Sequence, residues 1–221
     1  MNSFDFFDEM YCINLDHRTD RWEHAQKEFE KVGILDRVKR FSARKEDDGR
    51  VGIINSNLAI VKMAKSKGLN NVLVFEDDVE FIVDNPEKYL KKAILQIGNL
   101  DWALFYLGAN THEKLTKIKP NLILLKNAYA VHSMAYNKKI YDKFIQKYEG
   151  IKEISKHEDI LDVFLAEQIQ SKYICLMVNP MLTTQMNDYS DIEKHLVNQS
   201  YIEERFKKNI KKPHKKKLED P

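Results

Sequence analysis

Asn71-Val72-Leu73-Val74-Phe75-Glu76-Asp77-Asp78-Val79-Glu80-Phe81-Ile82 is the stretch from which the rest of the chain is read. The run Val72 to Phe75 has no polar alternation, so it predicts a strand covered on both faces, as in the middle of an α/β sheet. Three carboxylates, Glu76, Asp77 and Asp78, follow at its carboxyl end and would face a crevice there. Neighbouring carboxylates repel one another, and a hard divalent cation with oxygen ligands, Mg²⁺ or Mn²⁺, is the usual compensation. The plainer alternative is a solvated acidic turn after a core strand.

Outward from this stretch, 221 residues with 43% hydrophobic content suffice for one sizeable α/β domain. A net charge of +2 is spread over 32% charged residues of both signs, which does not announce a nucleic-acid binder. Cys12 and Cys175 each lie in an apolar, strand-like run, so buried free thiols are expected and a disulfide framework is not. That usage fits a reducing compartment. No apolar stretch reaches the length of a membrane span, and Met1 to Glu9 is acidic and aromatic where a signal peptide would be basic and apolar. A cytoplasmic protein is the expectation; the basic C-terminal residues read first as a solvated tail, with peripheral contact at an anionic membrane surface or a polyanionic substrate as the sharper alternative.

Taken in order, Met10 to Leu15 predicts a first strand. A helix follows, capped by Thr19 or Asp20 with Glu23, carrying Trp22, Ala25, Phe29 and Val32 on one face and stopping at Gly33. The loop between them brings Asn14, Arg18 and Arg21 to a strand-to-helix junction, where α/β folds bind nucleotides. No glycine-rich phosphate loop is present. Arg37 to Ala43 predicts a second strand, Arg44 to Arg50 a charged loop, and Val51 to Ala64 a helix in which Ser56 and Asn57 are polar positions. Pro86 opens a helix to Ile97, Trp102 to Leu107 is an apolar strand, and Leu122 to Leu125 and Tyr129 to Tyr136 are further strands, the second holding His132. Helices are expected over Lys138 to Tyr148 and Asp159 to Gln170, and a last strand over Tyr173 to Val178. The alternation gives an α/β fold with a mixed sheet. The domain is drawn over residues 1–192, and 193–221 is read as a polar to basic tail.

Several of these stretches fall into one known order, and over Tyr11 to Ile192 the chain resembles glycosyltransferase family 25, which includes lipooligosaccharide and procollagen galactosyltransferases. The family's Asn-Leu-x-x-Arg-x-x-Arg pattern is similar to Asn14-Leu15-Asp16-His17-Arg18-Thr19-Asp20-Arg21, and its Phe-x-Ala to Phe41-Ser42-Ala43. The Gly and Ser of its Gly-Cys-x-x-Ser-His helix match Gly52 and Ser56, and its Glu-Asp-Asp-Val matches Glu76 to Val79 letter for letter. Leu107-Gly108, His132-Ser133-Met134, Pro180-Met181-Leu182-Thr183-Thr184-Gln185 and Ser190-Asp191-Ile192 follow in the family's order. Two positions depart from it: Asn57 stands where the family has His, and Met134 where it has Tyr.

The resemblance implies a GT-A-type nucleotide-diphosphate-sugar transferase fold with a mixed, mostly parallel central sheet. It also implies a divalent cation, commonly Mn²⁺, and inverting transfer of galactose or a related hexose from a UDP-sugar to a glycan or hydroxylated-protein acceptor. Asp78, with Asp77 or Glu76, would hold the cation. Arg18 and Arg21 would meet the diphosphate or the uridine side of the donor, and Asn14, Ser56 and Gln185 belong to the same donor-side motifs. Candidate bases for the acceptor hydroxyl are Asp159, Asp162 and His132, with Asp162 preferred because Ile160-Leu161-Asp162-Val163 is similar to the family's apolar-apolar-Asp element. A Mg²⁺-dependent phosphatase is the rival enzyme, but Glu76 stands where its nucleophilic Asp would be. A degenerate sugar-nucleotide or carbohydrate-binding domain is the non-enzymatic alternative, and Asn57 and Met134 are its best support.

Overall fold

A computed structural model describes residues 2–190 and 194–210. In chain order the elements are β1 (Glu9–Asn14), α1 (Thr19–Lys31), β2 (Val38–Ser42), α2 (Gly49–Ser66), β3 (Asn71–Glu76), β4 (Val79–Phe81), α3 (Pro86–Ile97), β5 (Trp102–Tyr106), β6 (Asn110–Thr111) and β7 (Thr116–Lys119). Then come β8 (Leu122–Leu124), β9 (Ala128–Tyr129), β10 (Ser133–Asn137), α4 (Tyr141–Tyr148), α5 (Leu161–Phe164), β11 (Ile174–Val178), β12 (Thr183–Gln185), β13 (Asp188–Ser190), β14 (His195–Val197) and α6 (Tyr201–Asn209). Eight strands form one sheet in the order β2-β1-β3-β10-β5-β11-β8-β7. Pairing is parallel across β2, β1 and β3 and between β5 and β11, while β10 runs antiparallel to both β3 and β5. This is the expected α/β fold with a mixed, mostly parallel central sheet.

The period-2 geometry of strands explains the continuous apolar run in β3. Val72 and Val74 join one core with Ile54, Leu58 and Val61 of α2 and Phe144 of α4. Leu73 and Phe75 join a second core with Ala25 and Phe29 of α1 and Leu90, Ala93 and Ile97 of α3. Both faces are therefore covered, and β3 reaches solvent only at its carboxyl end. Cys12 and Cys175 are buried free thiols, as expected.

Helix boundaries follow local chemistry. Asp48 caps α2 by accepting from the Arg50 N–H, and Gly68 follows that helix at φ +68°, a conformation that glycine takes without strain. Asn85 caps α3, with Pro86 in its first turn. The expected cap of α1 does not form: Thr19 and Asp20 lie inside the helix and no side chain caps it, because Asp20 instead pairs with Arg18.

Three expectations are corrected. The strand drawn from Tyr129 to Tyr136 is two, β9 and β10, separated by a turn at Ala130 to His132; Ala130 sits at φ +68°, outside any strand. Short pairings were not foreseen, namely β4 with β12 and β13 with β14. The domain also extends past residue 192. In α6, Ile202 and Phe206 are buried in the first core, and Asn209 donates to the Thr111 carbonyl at 2.9 Å and accepts from the Leu115 N–H. Arg205 thus belongs to the folded body, while Lys211, Lys212, Lys215, Lys216, Lys217, Asp191 and Ile192 lie outside the described residues. Among the described residues no helix is long and apolar enough to cross a membrane. Phe206→Ala should cost about 3 kcal/mol of stability, measured by chemical denaturation; a solvated tail would show almost no change.

Candidate functional site

Parallel strands β1, β3 and β5 end at one edge of the sheet, and a cleft of about 630 Å³ opens there. Its lining includes the β2–α2 loop and the start of α2, with Arg44, Lys45, Arg50 and Gly52. The lining also holds Asn110, Tyr129, Ala130, Asp162 and Tyr201, together with Arg21, Glu76, Asp77, Asp78 and Gln185.

Gln185 reaches the acids because β12 is sewn to the sheet edge. The Leu182 N–H donates to the Leu107 carbonyl at 2.8 Å, and β12 pairs with β4 so that Gln185 lies opposite Val79. That approach needs Gly108, since a Cβ there would lie 2.0 Å from the Thr183 carbonyl oxygen. The Gln185 amide then donates to Glu76 Oε2 at 3.2 Å and to Asp78 Oδ2 at 3.3 Å. Two carboxylates converge on one donor.

The three acids differ in their partners. Asp77 also lines the cleft but is held by donors: it accepts from Asn14 Nδ2 at 2.6 Å and Arg21 Nη1 at 3.1 Å and is 8% exposed. Burial raises its pKa, and those two donors oppose the rise. Asp78 is pushed up to about 6, first by burial, which the Arg21 charge opposes, and further by Asp77. Burial also drives the Glu76 carboxyl well above its usual range, reinforced by Asp78, Asp162 and Asp77. The unfavourable charge is thus concentrated on Glu76 and Asp78, the pair that Gln185 bridges.

Arg18 and Arg21 meet carboxylates of the chain itself. Arg18 pairs with Asp20 and Asp188, and Arg21 with Asp77, Asp188 and the Tyr189 carbonyl. Burial works against the Arg21 charge, yet Asp78 and Asp77 outweigh it and raise its pKa. Asn14 donates to Asp77 and accepts from Arg40, and so positions the acids from behind. Ser56 is fully buried: its hydroxyl donates to the Gly52 carbonyl at 2.7 Å and accepts the Arg44 N–H at 2.8 Å. Gly52 packs so closely on that loop that a Cβ would lie 2.6 Å from the Arg44 carbonyl oxygen. The matched Gly and Ser therefore lash down the loop that carries Arg44 and Lys45, two cleft cations that the charged-loop reading did not single out. Among the described residues neither has a carboxylate partner.

The base candidates separate cleanly. Asp162 faces the cleft; its Oδ2 accepts the Ala130 N–H at 2.9 Å, leaving Oδ1 without a hydrogen bond among the described residues, and burial raises its pKa against the pull of that bond. The bond steadies Ala130 in its left-handed conformation, a strain of about 1–3 kcal/mol for a non-glycine residue. His132 does not line the cleft. It is fully buried behind Gly108, its Nε2 lies 3.4 Å from the Thr183 carbonyl oxygen, and burial lowers its pKa to about 4. Asp159 is also elsewhere, paired with Lys147 and accepting from the Lys156 N–H. Asn57, one of the two departures, is buried in the core and accepts from Tyr136 Oη at 2.9 Å; Met134 is fully buried.

No three His, Cys, Asp or Glu side chains among the described residues form a metal cage. Glu76 and Asp78 nonetheless fit a Mg²⁺- or Mn²⁺-type ion, which is commonly held by one or two carboxylates together with substrate phosphates. Their shared crowding around the Gln185 amide is the observation behind that fit.

No family model matches the chain. It is 28% identical over 160 residues to a human protein named inactive glycosyltransferase 25 family member 3, covering 59% of this chain and 27% of that one. It is 26% identical over 166 residues to mouse procollagen galactosyltransferase 2, covering 59% and 26%. The matches thus span about a quarter of the length of these curated relatives. A solved glycosyltransferase involved in glycosylating the major capsid of PBCV-1 superposes with a TM-score of 0.42 at 10% identity, over 63% of this chain and 64% of that one, a likeness too distant to bear on activity. Sequence relatives, like the ordered motifs, place the chain's similarity in the glycosyltransferase 25 family.

Proposed function

We propose that this chain is a metal-dependent inverting glycosyltransferase that moves a hexose, galactose in the first instance, from a UDP-sugar to a hydroxyl of a glycan or hydroxylated protein. The observation that carries the reading is that one cleft is lined by both the Glu76–Asp78 pair at the end of β3 and the Asp162 carboxylate. Bound between Glu76, Asp78 and the donor's diphosphate, a divalent cation would neutralise the charge that develops on the leaving oxygens. Arg44 and Lys45, free of acid partners among the described residues, are placed to meet the same phosphates, and Asn14 and Arg21 keep Asp77 and Asp78 in position. Asp162 Oδ1 takes the proton of the acceptor hydroxyl as that oxygen bonds to the anomeric carbon. The bond from that carbon to the diphosphate breaks, UDP leaves with the electron pair, and attack opposite the leaving group inverts the centre.

Calorimetric titration with UDP tests the metal half. UDP affinity is expected to fall at least about tenfold in EDTA relative to Mn²⁺, because the diphosphate and the acids repel one another without a cation. Equal affinity in both would remove the metal from the reading.

A second reading, a sugar-nucleotide binder without turnover, is favoured by the internal pairing of Arg18 and Arg21 and by the name of the human relative. Mn²⁺-dependent UDP release from a UDP-hexose separates the two. Binding without release would favour the binder.

A further inference from the structure

Beside Asn110 and Tyr201, two residues of the cleft lining, an exposed guanidinium is held by neutral groups only. Arg205 Nη1 lies 3.1 Å from Asn110 Oδ1 and 3.2 Å from His112 Nε2, and its guanidinium carbon sits 4.8 Å from the centre of the Tyr201 ring. His112 in turn meets Tyr129 edge to face at 4.9 Å. Among the described residues no carboxylate pairs with Arg205, although most of the other arginines carry one.

This arrangement is not needed to dock α6. Ile202 and Phe206 are buried, and Asn209 ties the helix to Thr111 and Leu115. A planar cation held in one orientation by an amide, an imidazole and an aromatic face is pre-ordered for an anion with two oxygens. Its position is tied to Asp162 through a short chain of contacts. Asn110 pairs with Tyr129 across β6 and β9, Ala130 follows Tyr129, and the Ala130 N–H is the donor held by Asp162. Arg44 and Lys45, by contrast, belong to the β2–α2 loop.

We propose that Arg205, with Asn110, Tyr129 and Tyr201, forms an acceptor subsite for an acidic sugar, whose carboxylate or phosphate is taken by the guanidinium fork. The sugar ring would lie against Tyr129 and Tyr201, which line the cleft, with its reacting hydroxyl toward Asp162. This rests on the transferase reading for the word acceptor, and the anion site itself is tested without turnover.

The full chain is titrated by calorimetry with methyl β-glucuronide, glucose 6-phosphate and, as the neutral partner, methyl β-glucoside, in wild type, Arg205→Gln and Arg205→Lys. Wild type is expected to prefer an acidic over the neutral sugar by about tenfold or more, the scale of a charge-assisted bidentate contact. A preference in the glucuronide arm assigns a carboxylate, and one in the phosphate arm assigns a phosphate. Arg205→Gln should abolish the preference and leave UDP affinity and melting temperature unchanged. Should that variant melt well below wild type, Arg205→Lys decides, since it keeps the charge and loses the fork; it is expected to weaken acidic-sugar binding at least about threefold. No acidic preference in wild type, or one that persists in both variants, overturns the subsite. Loss of UDP binding in wild type would instead sink the transferase reading and leave the sugar titrations interpretable.

Discussion

Asp78→Asn is expected to lower UDP release from a UDP-hexose by about a hundredfold or more while the protein still folds. The amide keeps the shape of the side chain and one acceptor oxygen, but it removes half of the charge pair that Glu76 and Asp78 present to a cation. Stability should move the other way. Asp78 has its carboxyl pushed up to about 6, chiefly by burial, so the folded protein holds that proton more tightly than the unfolded chain does. Its contribution is therefore full below the unfolded value near about 4 and is lost as pH rises through about 6. Glu76, Asp77 and Asp162 are shifted in the same direction and add to the trend. Metal-free wild type should lose melting temperature between those pH values. The Asn variant should lose less and melt at or above wild type at neutral pH. Near-normal turnover would show the acids to be a solvated turn, and a collapsed metal-free melt would show Asp78 to serve the fold.

Much of this architecture was legible because period and chain punctuation carry it. Val72 to Phe75 had to be covered twice, and Pro86, Gly33 and Gly68 mark helix ends that the structure keeps. The acids could be placed at a strand's carboxyl end for the same reason. Which partners each acid takes could not be read, because Asp77 is claimed by Asn14 and Arg21, residues 63 and 56 positions away. Distance in sequence hid the subtler parts as well. Arg18 and Arg21 read as free cations because Asp188, their partner, lies beyond residue 180 on a hairpin of three-residue strands with no clear alternation. His132 read as a strand histidine near the site, whereas the close approach of β12 over Gly108 seals it inside. The C-terminal helix was hidden by composition: in Tyr201 to Asn209 only Tyr201, Ile202 and Phe206 are apolar, and charged neighbours dominate. Its spacing of Ile202 and Phe206, four apart, was the available clue.

Asp162→Asn should abolish most transfer while sparing donor binding, and this separates the base from the metal pair. The variant retains an oxygen to accept the Ala130 N–H, so the left-handed turn at Ala130 and the cleft wall should persist. What it loses is the ability to take a proton, a contribution of about 10²- to 10⁴-fold in turnover for a positioned general base. UDP affinity in Mn²⁺ should stay at the wild-type value, unlike in Asp78→Asn. The pH profile adds a readout that packing damage would not give. Burial raises the Asp162 carboxyl above its ordinary range, so wild-type turnover should fall on acidification with an apparent pKa higher than that of a free aspartate. In the variant the remaining activity should lack that acidic limb. Transfer rates measured across pH with saturating donor provide the check. If Asp162→Asn retains both its rate and its limb, the proton goes elsewhere; Asp159 and His132 are already committed to Lys147 and to the interior, which leaves the other cleft carboxylates, Glu46, Asp47 and Asp188, or solvent.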